Sequence, residues 1–168
     1  MKVTATELMK QLKFITEEIS DVHRTDGEKS KVLMKKENDN TLVPAYSLEY
    51  DFLNNRKRIN ELFKEERRIK NILSKFNCNT LVQGFNFSIN EGLIRIGELK
   101  DEIRILSILA KKNEYSSSIS SNNDVSIFKV TYNIEDAKNA LRSAQRELSA
   151  LQVAIDKTNL NSEIEIDY

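Results

Sequence analysis

The sequence predicts a mainly α-helical chain: an elongated antiparallel bundle of about four long helices, arranged as coiled-coil-like hairpins, with a small two-stranded β element. Three observations predict it. Ile134, Ala137, Leu141, Ala144, Leu148, Leu151 and Ile155 are spaced alternately by 3 and 4, which lines one face of a helix. Thr4-x-x-Glu7 and Ser88-x-x-Glu91 open two further apolar-periodic stretches, and that pairing is the capping box of a helix N-terminus. Charged residues make up 31% of the chain against four glycines and one proline, a mix that suits solvent-facing helices rather than a β-rich or disordered chain.

The 168 residues are enough for one domain with a real core, so a single helical domain over 1–168 is expected. Helix one is expected over about 4–25. Leu8, Leu12, Ile15, Ile19 and Val22 keep a 4-3-4-3 spacing, and Asp26-Gly27 reads as its end. Residues 28–46 break the pattern. The run Val32-Leu33-Met34, the turn signal Asn38-Asp39-Asn40 and Leu42-Val43 before Pro44 fit a short hairpin or an ordered loop. Helix two is expected over 47–76, with Phe52, Ile59 and Leu73 on one heptad position and Leu62, Ile69 and Phe76 on the other. A helix of that length needs a partner to bury its stripe. Asn77-Cys78-Asn79-Thr80 reads as its end, and Gly84 as a second turn.

Helix three is expected over 88–113. Ile89, Ile96, Leu99, Ile103, Leu106 and Ala110 form one stripe; Leu93, Ile94, Ile105, Ile108 and Leu109 lie off it. A surface that wide contacts neighbours on more than one side. Gly92 and Gly97 each cost about 1 kcal/mol against Ala inside a helix; close approach by another helix would explain them, and so would simple tolerance. A flexible polar loop is expected over 114–124. Val125–Tyr132 is rich in β-branched and aromatic residues and reads as a strand, with Val32–Met34 as its expected partner. Helix four is expected over 133–158, capped by Asn133. The alternating tail Ile164–Tyr168 reads as an edge strand.

Few residues point to chemistry. Lys and Arg balance Asp and Glu at 26 each, without the basic excess that drives nucleic-acid binding, so no nucleic-acid partner is expected. His23 is the only histidine and reads as a helix-end residue; there is no Cys-x-x-Cys and no phosphate-binding glycine loop. No catalytic residue, metal site or cofactor is expected. Cys78, the single cysteine, excludes an internal disulfide. No apolar run approaches the roughly 18 residues of a membrane span, and the start lacks a signal-peptide core, so a cytoplasmic protein is expected. Aromatics gather in the middle of the chain, and Asn77, Asn79 and Phe85 are the candidate turn or pocket residues. Leu93, Ile96, Gly97, Ile103 and Leu106 are the candidate oligomer interface.

The segment Phe128-Lys129-Val130-x-x-Asn133, a heptad helix with Arg146-Glu147-Leu148-x-x-Leu151, and then Ile155-Asp156-x-Thr158-Asn159-x-x-Ser162-Glu163-Ile164 resembles the septicolysin-like family of small bacterial helical proteins. Glu7-Leu8-x-x-x-Leu12 and Asn77-x-Asn79-Thr80 are similar to that family's first helix and to the turn after its second. Leu160 stands where the family has a tryptophan. The resemblance implies a helical homo-oligomer, and the family name suggests cytolysin activity. It supplies no catalytic residue. The expectation is a non-enzymatic, self-assembling helical protein. The alternatives are a pore-forming or cytolytic protein acting on membranes and a small-ligand binder in the bundle core.

Overall fold

The computed structural model describes residues 2–47, 49–119 and 124–166. Its elements are β1 (Lys2–Thr4), α1 (Ala5–Lys29), β2 (Met34–Lys36), β3 (Leu42–Pro44), α2 (Phe52–Asn79), α3 (Ile89–Leu109), β4 (Tyr115–Ile119), β5 (Val125–Lys129), α4 (Ile134–Asn161) and β6 (Glu163–Glu165). The protein is mainly helical, with small two-stranded antiparallel sheets pairing β1 with β6, β2 with β3 and β4 with β5. The chain divides into two compact units, residues 1–76 with 162–168, and residues 77–161.

In the first unit the predicted stripe is the core. Leu8, Ile15, Ile19 and Val22 of α1 pack with Ile59, Ile69 and Leu73 of α2 and with Ile166. The capping box forms: the Thr4 hydroxyl accepts from the Glu7 N–H, and the Thr4 N–H donates to Glu7 at 2.7 Å. Glu18 pairs with Arg58, while Asp26, further along α1, pairs with Arg56. The two helices therefore run antiparallel. Asp26 also accepts from the Tyr50 hydroxyl at 2.8 Å and from the Asn55 amide at 2.9 Å.

This network helps explain two departures from the expected boundaries. Helix α1 passes through Gly27 to Lys29 instead of ending at Asp26-Gly27, because Gly27 keeps a negative φ while Asp26 is held by side chains from α2 and the segment before it. Helix α2 starts at Phe52 rather than 47, because Asp51 accepts from the Asn54 N–H and takes the capping role. It continues through 77–79, so Asn77 and Asn79 are helical. His23 lies within α1, exposed, its ring 6.2 Å from that of Phe63. It is not in the last turn of the helix.

In the second unit α3 and α4 form an antiparallel pair. Gly92, near the start of α3, lies against Leu151 and Ile155, late in α4. At the other end, the Tyr132 hydroxyl donates to the Leu109 carbonyl at 2.7 Å. Ser88 and Glu91 form the second capping box, and Gly84 supplies the left-handed turn before it, with φ of 85°. Helix α3 ends at Leu109 rather than 113, and α4 extends to Asn161 rather than 158.

The strand pairing differs from expectation. Val125–Lys129 pairs with Tyr115–Ile119, not with Val32–Met34. Met34–Lys36 instead closes on Leu42–Pro44 around Asn40, whose φ is 68°. Part of the expected loop at 114–124 is thus a strand, because local pairing across a short connection closes at low entropic cost; Ser120, Ser121, Asn122 and Asn123 of that loop lie outside the described residues. The tail pairs as expected over Glu163–Glu165, with β1 as its partner, and its residues 167–168 also lie outside.

Candidate interaction surface on α3

Helix α3 carries two apolar faces. One holds Ile89, Gly92 and Leu99, all buried, together with half-buried Ile96, Ile103 and Leu106; this face meets α4. About half a turn away stand Ile94, Gly97, Asp101, Ile105 and Ile108, again spaced by 3 or 4. Here Ile94 is 58% exposed, Ile105 46% and Ile108 55%, with Leu93 at the edge 45% exposed. Isolated exposed apolar residues are ordinary; here Ile105 and Ile108 are neighbours one turn apart, and Gly97 and the exposed Asp101 separate them from Leu93 and Ile94.

The five interface candidates therefore divide. Leu93 and Gly97 lie on the exposed side; Ile96, Ile103 and Leu106 share the face toward α4. The large exposed residues on that side are Ile94, Ile105 and Ile108, which lie outside the five candidates. The two glycines also differ. A Cβ on Gly92 would lie 3.1 Å from Ile155 and 3.3 Å from Phe87, whereas Gly97 has open space around it. Close helix approach explains the first; tolerance explains the second.

Phe85 lines a cavity of about 280 Å³ with Phe87, Glu91, Arg95, Glu147 and Leu151. The two phenyl rings are 4.9 Å apart and tilted at 44°. The polar groups of this cavity are occupied with one another or with the chain. Arg95 donates to Glu147 at 2.8 Å and to Glu98 at 3.1 Å, and these partners raise its pKa. Glu91 is held below the ordinary glutamate range by the Ser88 N–H and hydroxyl. Asn77 is half-buried and Asn79 exposed at the end of α2; neither lines this cavity with Phe85.

A second depression, shallow and open to solvent, of about 650 Å³, is lined by Gln83 and by the small side chains Ser149, Ala150, Val153 and Ala154 of α4, with Arg146 and Lys157. In the β4–β5 hairpin, Tyr115, Ile119, Val125 and Ile127 stand on one side, by their paired register, and all are exposed. Cys78 is free and exposed. Among the described residues, no cluster of His, Cys, Asp and Glu is placed to hold a metal, and no helix is long and apolar enough to cross a membrane.

No protein-family model and no curated protein matches the chain. Among solved structures it is similar to one described as a functionally unknown conserved protein from Corynebacterium diphtheriae, with a TM-score of 0.70 at 17% identity, over 98% of this chain and 100% of that one. At that identity the likeness concerns the fold.

Proposed function

We propose that this is a non-enzymatic helical protein that assembles with copies of itself. The single observation behind this reading is the exposed stripe Ile94, Ile105 and Ile108, with Leu93 beside it, on the side of α3 away from α4. Covering that stripe removes apolar surface from water, which favours association. Membership of the septicolysin-like family, the homo-oligomer it implies and the elongated bundle read from the heptads belong to the same proposal. Absolute mass by light scattering, over a range of concentrations, tests it. A discrete species heavier than the 19.4 kDa chain is expected, and a single-chain mass throughout would sink it.

A second reading is membrane activity of the cytolytic kind. The exposed apolar side of the β4–β5 hairpin favours it, since such a surface can lie in a bilayer interface. Dye-loaded liposomes that stay sealed would dispose of it. A third reading, small-ligand binding at the Phe85 cavity, predicts a thermal shift with some member of a fragment panel.

A further inference from the structure

We propose that the cavity beside Phe85 is a binding site for a compact organic cation, an ammonium group carried on a short apolar body. The inference rests on the small-ligand reading above and names the class of ligand.

The apolar side of the cavity is held in place before any ligand arrives. Phe85 and Phe87 belong to a turn closed by three backbone hydrogen bonds. The Phe85 N–H donates to the Val82 carbonyl at 2.9 Å, the Val82 N–H to the Phe87 carbonyl at 3.0 Å and the Ile89 N–H to the Thr80 carbonyl at 2.9 Å. The turn is fastened to α4 as well, because the Gln83 N–H donates to the buried Thr158 hydroxyl at 2.9 Å. The Phe87 ring is seated against the α3 backbone at Gly92, where a Cβ would come within 3.3 Å of it. Two rings fixed in this way present apolar and π surface without an ordering cost at binding.

The polar side carries an excess of negative charge. Glu91, Arg95 and Glu147 line the cavity. Arg95, their one cation, is already engaged by Glu147 and by Glu98. Three carboxylates thus surround a single guanidinium. Each lining carboxylate uses one oxygen for its bonds and keeps the other. Glu91 Oε2 takes both the Ser88 N–H and the Ser88 hydroxyl, and Glu147 Oε1 takes Arg95. Glu91 Oε1 and Glu147 Oε2 have no partner among the described residues. A carboxylate oxygen only accepts, so these positions call for a donor, and an ammonium supplies the donor together with the compensating charge.

The same lining selects against other ligands. An anion would meet two carboxylates and a guanidinium that is already engaged twice. A neutral molecule would leave the negative excess in place. A cation also gains from the faces of Phe85 and Phe87. At about 280 Å³ the cavity is near the lower end of ligand sites, roughly 300–1,000 Å³, so the apolar body is short. The side chains of Arg95 and Glu147 are 41% and 48% exposed. Water screens the charge to that extent, and the preference for a cation is about tenfold, well short of what a buried site gives.

Three probes of nearly equal size test this on the full chain: 2-phenylethylammonium, 2-phenylethanol and phenylacetate. Their dissociation constants are read from amide chemical shifts at Phe85, Phe87 and Gly92 in NMR titrations at neutral pH. The expected result is that the ammonium binds about tenfold more tightly than the alcohol, with the carboxylate weakest. Glu147→Gln is expected to weaken the ammonium about tenfold and to leave the alcohol unchanged. Phe85→Leu keeps an apolar wall but removes a π face, and is expected to weaken the ammonium by about threefold or more. Retained amide dispersion verifies that both variants fold, and the comparison on the parent chain needs neither. An alcohol that binds as tightly as the ammonium would overturn the cation assignment and leave the cavity standing as a ligand site. Ammonium binding that Glu147→Gln does not weaken would overturn the role of the carboxylates. Amides that none of the three probes moves would overturn both readings.

Discussion

Replacing Gly92 and Gly97 separately by Ala turns the packing of α3 on α4 into a stability measurement. Both glycines lie inside the same helix, so the gain in helix propensity is similar, about 1 kcal/mol each. What differs is the space. Around Gly97 nothing lies within 4 Å of a new Cβ, so the gain is retained and the variant is more stable by about 0.5–1 kcal/mol. At Gly92 the new carbon meets Ile155 at 3.1 Å, Phe87 at 3.3 Å and Leu151 at 3.5 Å. Overpacking of this kind costs about 1–3 kcal/mol, which cancels the propensity gain or exceeds it. Gly92→Val adds two further carbons to the same contacts and is expected to lose about 2–3 kcal/mol. The assay is urea and thermal unfolding followed by circular dichroism at one protein concentration. For a chain of this size each kcal/mol moves Tm by about 2–4 °C. Equal stabilisation by Ala at both positions, or a neutral Gly92→Val, would refute the close approach of α3 and α4 at Gly92.

Asp26→Ala removes the acceptor shared by Tyr50, Asn55 and Arg56; we expect a loss of about 2–3 kcal/mol in urea unfolding, discounted from a fully buried pair because Arg56 is partly exposed. Ser88→Ala removes the cap of α3 and is expected to lower stability by about 1 kcal/mol, with no comparable effect from Ser107→Ala on the same helix. Glu91 has its folded pKa depressed below the ordinary 4.5, so the stability it confers is present above that value and fades as pH falls through the folded one. The Tm difference between the parent and Glu91→Gln is therefore flat from neutral down to mildly acidic pH and shrinks below about pH 4; a difference that grows with acid would contradict the assignment. Leu99→Ala empties a fully buried position and is expected to cost about 2–5 kcal/mol, which differential scanning calorimetry would detect.

Local chemistry was the most legible part of the chain. The boxes at Thr4 and Ser88 gave the starts of α1 and α3 because each depends on residues three apart. The stripes of α1 and α4 were readable for the same reason: a long 3-4 repeat has one interpretation. Boundaries went astray where a distant side chain decided them. Gly27 resembles a helix end, but Asp26 is held by Tyr50, Asn55 and Arg56, none of them local. Val125–Lys129 was legible as a strand, yet its partner was not, because the serine-rich run at 115–119 has loop composition and becomes a strand only through pairing. On α3 the breadth of the apolar surface was visible in the sequence, but its division between α4 and solvent was not, since helical periodicity gives the faces and says nothing about which one is occupied.

The pairing of β1 with β6 has a consequence for how the protein is made. Lys2 and Glu163, joined by an ion pair, are 161 residues apart in sequence, and Ile166 completes the core of the first unit. The second unit is contiguous, so it can fold as soon as its own residues leave the ribosome. The first unit cannot be completed so early: α1 can pack on α2, but β1 must wait for β6. At ordinary elongation speeds that wait is on the order of ten seconds. During it, an unpaired strand edge and part of an apolar helix face are open to any chain nearby, including a neighbouring nascent copy. Within this unit the strand made before α1 and α2 is paired after both.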